Sequence, residues 1–177
     1  MTYTLKIIQD NNSESPREWD NLGTIVVSNN YRYNFADICK DVGYIEELAA
    51  DKDKDNITLP VYIYDHSGIT INTTGFSCPW DSGQVGIIYV SKEKIRSEYG
   101  WKYITKGRRF KILEYLKNEV TTLDQWLTGD VWGFKLYENG EEINSCWSYY
   151  GSDPHTNGMF EHLTKEQREN LTIEMEY

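Results

Sequence analysis

Residues 61–90 read VYIYDHSGITINTTGFSCPWDSGQVGIIYV, and no other stretch narrows the fold of this chain as much. Short runs of Val, Ile and Tyr alternate with turn residues, a pattern of strands rather than helices. Residues 60–65 predict one strand and His66-Ser67-Gly68 a tight turn. Residues 69–73, with Ile69, Ile71 and Thr73 alternating, predict the return strand of a hairpin. A loop over 75–84 then leads to a strongly apolar strand at 85–90. Strands joined by tight turns are antiparallel, so a mainly antiparallel sheet follows.

The flanking segments add helices and a second hairpin. Residues 5–9 and 22–27 read as strands, with Gly23 a weak point. Asn34 with Asp37 predicts a helix start, followed by Phe35, Ile38, Val42, Ile45 and Ala49 at helical spacing. Residues 50–56 are a charged connector. Ser91 is placed to cap a short helix that Gly100 ends. Residues 108–127 predict the longest helix, with Leu113, Leu116, Val120, Leu123 and Leu127 on one face and Gly129 as the stop. Asn139-Gly140 between residues 131–138 and 142–149 is the strongest short hairpin signal present. Thr164 with Gln167 forms a capping-box pattern, and Leu171, Ile173, Met175 and Tyr177 alternate as a last strand. The expected fold is α+β. A mainly antiparallel sheet with two hairpins is packed on one side by one long and two or three short helices, in a single domain over 1–177.

Charge bounds the function. Twenty-eight Asp and Glu against 18 Lys and Arg leave a formal net charge of −10. Such a balance repels nucleic-acid phosphates and anionic lipid and favours basic partners. The one contrary segment holds Lys92, Lys94, Arg96, Lys102, Lys106, Arg108, Arg109 and Lys111, with Trp101 and Tyr103 interleaved. Glu93, Glu98 and Glu114 dilute it, and a solvated helical face is its plainer reading. The N-terminus has no secretory pattern, and no apolar run approaches the roughly 20 residues of a membrane span. Three widely spaced Cys (39, 78 and 146) suit a reducing compartment rather than a disulfide framework. These features together predict a cytoplasmic protein.

The turns of 61–90 gather chemically capable groups, namely Asp65, His66, Ser67, Cys78, Trp80, Asp81 and Ser82. Cys78, His66 and Asp81 are the residue types of a thiol, a base and an orienting acid, the basis for a small Cys- or Asp-dependent hydrolase. Cys78 precedes Pro79 rather than a helix start, so no helix dipole activates it. Asp81-Ser82-Gly83 matches the triplet of aspartic proteases, which need two such carboxylates; one copy is present. The structural alternative has Asp65 and Asp81 holding the two loops together as buried carboxylates that accept several N–H bonds, backbone ones at Asp81, with Gly83 adopting an unusual φ. His66, His155 and His162 make no metal-ligand spacing with the Cys, and no glycine-rich nucleotide loop occurs. No catalytic residue, metal or cofactor is therefore assigned.

The acidic residues form a second candidate site. Glu46, Glu47, Asp51, Asp53 and Asp55 surround one helix end, and Glu138, Glu141 and Glu142 sit at the second hairpin tip. Glu161, Glu166, Glu169, Glu174 and Glu176 follow near the C-terminus. Carboxylates spread over a rigid surface can occupy basic grooves that otherwise hold phosphates. An ordinary solvated acidic surface is the competing reading.

Five motifs carry a resemblance: SPREWDNLGT at 15–24, YDHSGI at 64–69, CPWDSGQVG at 78–86, LTGDVWGF at 127–134 and SCWSYYG at 145–151. In these the chain resembles, over nearly its whole length, a family of small proteins from bacteriophages and other mobile elements of Gram-positive bacteria. That family has no established enzymatic activity. The resemblance implies a phage-encoded inhibitor of a host defence nuclease, foremost an anti-CRISPR. It would work in the host cytoplasm by binding a basic protein surface as a nucleic-acid mimic. The expected partner is a host nuclease or CRISPR effector, with no membrane and no direct nucleic-acid contact.

Overall fold

The structure, a computed structural model, describes residues 2–29, 33–51 and 54–176. Its strands are β1 (Tyr3–Gln9), β2 (Thr24–Ser28), β3 (Ile38–Lys40), β4 (Asn56–Asp65), β5 (Ile69–Asn72), β6 (Ser82–Ser91), β7 (Val131–Glu138), β8 (Glu141–Tyr150) and β9 (Leu171–Glu176). Its helices are α1 (Val42–Ala50), α2 (Lys92–Tyr99), α3 (Lys106–Leu127) and α4 (Lys165–Glu169). The fold is α+β with mostly antiparallel pairing, as expected, but the strands form two sheets rather than one. The chain divides into two compact units, residues 1–15 with 125–177 and residues 16–124.

The unit of 1–15 and 125–177 holds the sheet β8-β7-β1-β9. The Asn139-Gly140 turn has both central residues at positive φ, 50° and 92°, which matches the twist of a two-residue hairpin. β1 and β9 pair in parallel, so the last strand closes beside the first. Leu5, Ile7, Phe134, Leu136, Trp132, Met159 and Leu163 make its core. The Thr164–Gln167 capping box is formed in full at the start of α4. Tyr177 lies outside the described residues.

The unit of 16–124 holds the sheet β3-β2-β6-β4-β5. Val26 and Ile87 pack with Ile45 of α1 on one face. Their neighbours Ile25 and Ile88 point to the other face by strand alternation. Leu116 of α3 and Ile88 both crowd Gly23 there. Helices therefore cover both faces of this sheet, where one side was expected. The buried stripe of α3 is Ile112, Leu116, Val120 and Leu123; Ile112, not Leu113, leads it. Gly86 lets β2 and β6 approach closely, since a Cβ there would fall 2.0 Å from the Val26 carbonyl oxygen. Ser91 caps α2 by accepting from the Lys94 N–H, and Gly100 ends that helix at φ 62°.

The helix predicted from Asn34 and Asp37 begins later. Residues Ile38–Lys40 are instead a short strand parallel to β2. Asp41 caps α1 by accepting from the Tyr44 N–H at 2.9 Å. Asp37 is diverted into an ion network around Arg17, whose side chain is largely buried. Arg17 donates through Nε and Nη2 to Asp37 at 3.0 and 2.6 Å, and through Nη1 to Glu119 at 3.0 Å. Its Nη2 also reaches the Gly23 carbonyl at 2.8 Å. Asp37 accepts from the Ile25 N–H, and Glu119 from the N–H groups of Leu22 and Gly23. Burial of Arg17 opposes its charge, but the hydrogen bonds it donates to Asp37 and then to Glu119 outweigh this and raise its pKa. Arg17, Leu22 and Gly23 of the 15–24 motif thus serve the fold.

Candidate functional site

The 66–68 turn and the 78–82 loop meet in space, as a functional cluster requires. β4 and β5 form the predicted hairpin, with Ser67 rather than Gly68 at positive φ. The Asp65 N–H donates to the Asp81 carbonyl at 2.9 Å, which fixes the loop against the end of β4. His66 Nδ1 lies 3.1 Å from Asp81 Oδ2, and Cys78 Sγ lies 3.8 Å from the same oxygen. A carboxylate accepts, so Nδ1 carries the proton. The Ser82 hydroxyl donates to the Cys78 carbonyl and closes the loop. Tyr33 donates to Asp65 Oδ2 at 2.5 Å.

The order of these atoms matters more than their proximity. In a thiol relay the imidazole stands between nucleophile and acid. Here the carboxylate stands between thiol and imidazole. The thiol faces an anion, whereas activation needs a base or a positive field. The arrangement is suited to clamping the loop. It differs in two respects from the structural alternative drawn above. Asp65 and Asp81 are not buried acceptors of backbone N–H bonds: Asp65 is exposed and the Asp81 side chain retains 40% of its exposure. Gly83 is a residue of β6 without positive φ.

The clamp presents Trp80. Its side chain is 89% exposed, the most of any large apolar residue described. Beside it lies a cavity of about 320 Å³ lined by Tyr33, Ile63, Asp65, Trp80, Asp81, Ser82 and Gly83. Tyr33 had no signal in the sequence. It precedes Asp65 by 32 positions and reaches it only through the fold.

The acidic patches are partly committed elsewhere. Asp51 Oδ2 accepts from the N–H groups of Asp55 and Asn56 and from the Asn56 amide, at 3.0, 2.8 and 3.0 Å. The Asp55 N–H and then the Asn56 bonds, against an opposing partial desolvation, hold the Asp51 carboxyl below its ordinary value. Glu138 accepts from the Tyr3 hydroxyl, and Glu142 pairs with Lys135 at 3.1 Å. Glu46, Glu47, Asp55 and Glu141 are exposed. Asp53 lies outside the described residues.

The basic segment is also partly engaged. Lys92 and Lys94 donate to the carbonyls of Lys54 and Asn21, and Arg108 lies 4.7 Å from the Trp101 ring centre while donating to the Tyr103 carbonyl. Among the described residues no group of three or more His, Cys, Asp or Glu is placed to hold a metal ion. No described helix is long and apolar enough to cross a membrane. Comparison with known protein families, with curated proteins and with solved structures found no match.

Proposed function

We propose that this chain acts as a binding protein, a phage-encoded inhibitor that occupies a basic surface of a host defence nuclease, foremost a CRISPR effector, in the host cytoplasm. The observation that carries this reading is the position of Asp81 between Cys78 and His66, which turns the most reactive-looking residues into a loop clamp beneath an exposed Trp. A net charge of −10 steers such a surface toward positive partners. Glu46, Glu47, Asp55 and Glu141 supply exposed carboxylates, and Trp80 supplies an aromatic anchor of the kind that dominates interface energetics.

Purification of the tagged chain from infected host cells tests the proposal. The expected result is co-elution of a nucleic-acid-binding nuclease, with affinity that falls as salt rises. Absence of such a partner, or affinity indifferent to salt, argues against it. Cys78→Ala separates this reading from the hydrolase: inhibition is retained if the thiol only holds the loop, and abolished in a folded variant if it is a nucleophile.

A further inference from the structure

We propose that the cavity beside Trp80 receives an arginine side chain of the partner, with its guanidinium against the indole and its N–H groups shared between Asp65 and Asp81. This rests on the binding reading above and names the chemistry of one contact within it.

Three observations converge on a guanidinium. First, both aspartates line the same cavity of about 320 Å³. Second, their side-chain partners all use one oxygen of each. Tyr33 takes Asp65 Oδ2, and His66 and Cys78 both take Asp81 Oδ2. Among the described residues neither Oδ1 has a hydrogen-bond partner. Third, Trp80 adds an aromatic face that is 89% exposed on a loop tied at Asp65, His66 and Ser82.

A cation near two carboxylates and an indole gains both charge-assisted hydrogen bonds and attraction to the ring. Arg meets both demands at once, because its planar fork carries five donors and stacks on aromatic faces. Lys offers a compact, strongly hydrated ammonium. Phosphate is excluded by the same two carboxylates. Arg is also the residue that basic nucleic-acid-binding surfaces present most effectively to planar anionic groups, so the site and the proposed class of partner agree. The tied loop lowers the ordering cost of binding, since the indole is held in place before the partner arrives.

The test uses the intact chain with an oligo-arginine peptide and an oligo-lysine peptide of equal length, titrated at low ionic strength. The indole N–H resonance of Trp80, assigned by its loss in Trp80→Phe, is followed alongside affinity. The expected result is a shift of that resonance with the arginine peptide and several-fold weaker binding of the lysine peptide. Trp80→Ala should lower arginine-peptide affinity about tenfold while the variant melts like the parent. Glu93→Gln combined with Glu114→Gln, exposed and outside both the cavity and the acidic patches, should change it by about twofold at most. The inference is overturned if Trp80→Ala binds like the parent, if the two peptides bind equally, or if the arginine peptide does not bind. If Trp80→Ala binds like the parent while Glu46→Gln combined with Glu47→Gln loses affinity, a general acidic binding surface survives and the arginine site does not. Co-purification from the host, which does not depend on this cavity, tests the broader reading separately.

Discussion

Arg17 and Asp81 anchor two polar networks in the same unit, made of similar side chains, and the two differ in how completely their charges are answered. The Arg17 side chain is 8% exposed and so is Glu119, and both of their charged ends are saturated by carboxylates, a carbonyl and backbone N–H groups. Around Asp81 the side chains of His66 and Asp81 keep 64% and 40% of their exposure, and one carboxylate oxygen carries all the side-chain bonds. Saturation with burial marks a polar group that serves the fold. Partial saturation at the surface leaves acceptors that water occupies until something else does.

The contrast is tested most severely by removing its buried member. Arg17→Ala strands Asp37 and Glu119 with no counter-charge and leaves the Gly23 carbonyl without that donor. Loss of one partner from a buried ion network costs about 3–5 kcal/mol, so denaturant unfolding should show a much lower midpoint or no cooperative transition for residues 16–124. Arg17→Lys keeps the charge but not the fork, and should fall between the two. A loss below about 1 kcal/mol for Arg17→Ala would mean that the Arg17 network carries no more of the fold than the Asp81 clamp.

The motif at 78–86 contains a comparison of its own, because its last residue is structural while its third is on display. Gly86→Ala puts a methyl group 2.0 Å from the Val26 carbonyl oxygen and 2.9 Å from the Val27 Cα, both backbone atoms that cannot move aside without separating β2 from β6. Overpacking of this kind costs about 1–3 kcal/mol, and thermal unfolding should reveal it. Were Gly86→Ala as stable as the parent, the two strands would have to be further apart than described.

These residues also explain what could be read from the chain in advance. Local signals suffice where the partners are local: Asn139-Gly140 needs only its own backbone preference, Ser91 and Thr164 only N–H groups within three residues. Asp37 misled because its carboxylate has two uses of the same chemistry, capping a helix or answering a guanidinium. The second requires Arg17, 20 residues earlier, and Glu119, 102 residues from Arg17. Nothing local reports such partners, so the sequence pattern starts the helix too early. The division into two sheets leaves no local trace for a related reason. Period-2 alternation identifies strands but not which strands share hydrogen bonds, and β1 finds β7 and β9 across most of the chain. At the candidate site the residue types and the two turns were legible. The order of the atoms was not: that Asp81 lies between Cys78 and His66 is a property of three dimensions alone.

Committed and displayed carboxylates should also respond differently to acid. Asp51 is held below its ordinary pKa of 3.8 by backbone N–H groups. A group whose folded pKa is depressed contributes stability that is full above the unfolded value and fades as pH falls through the folded value. Relative to Asp51→Asn, the parent should therefore hold a constant advantage above about pH 4 that disappears in stronger acid. Carboxyl titration by NMR should place Asp51 below 3.8. A midpoint at or above that value would mean that Asp51 is as available to a partner as a solvated carboxylate, and would enlarge the acidic surface.

The smallest expected effect is the most discriminating. Trp80→Ala removes the largest side chain of the 78–86 motif, yet that side chain is 89% exposed. Removing exposed area withdraws little from water on folding, so stability should change by no more than about 0.5 kcal/mol. The bonds that shape the loop belong to Asp65, His66, Cys78, Asp81 and Ser82 and remain intact. A buried Trp would cost about 3–5 kcal/mol at the same substitution, so the two cases are well separated by a melting curve. If Trp80→Ala melts well below the parent, the indole packs against the protein in solution, the loop is part of the core, and Asp81 belongs with Arg17 rather than opposite it. If the melt is unchanged while partner affinity falls, an exposed Trp on a clamped loop serves binding and not folding.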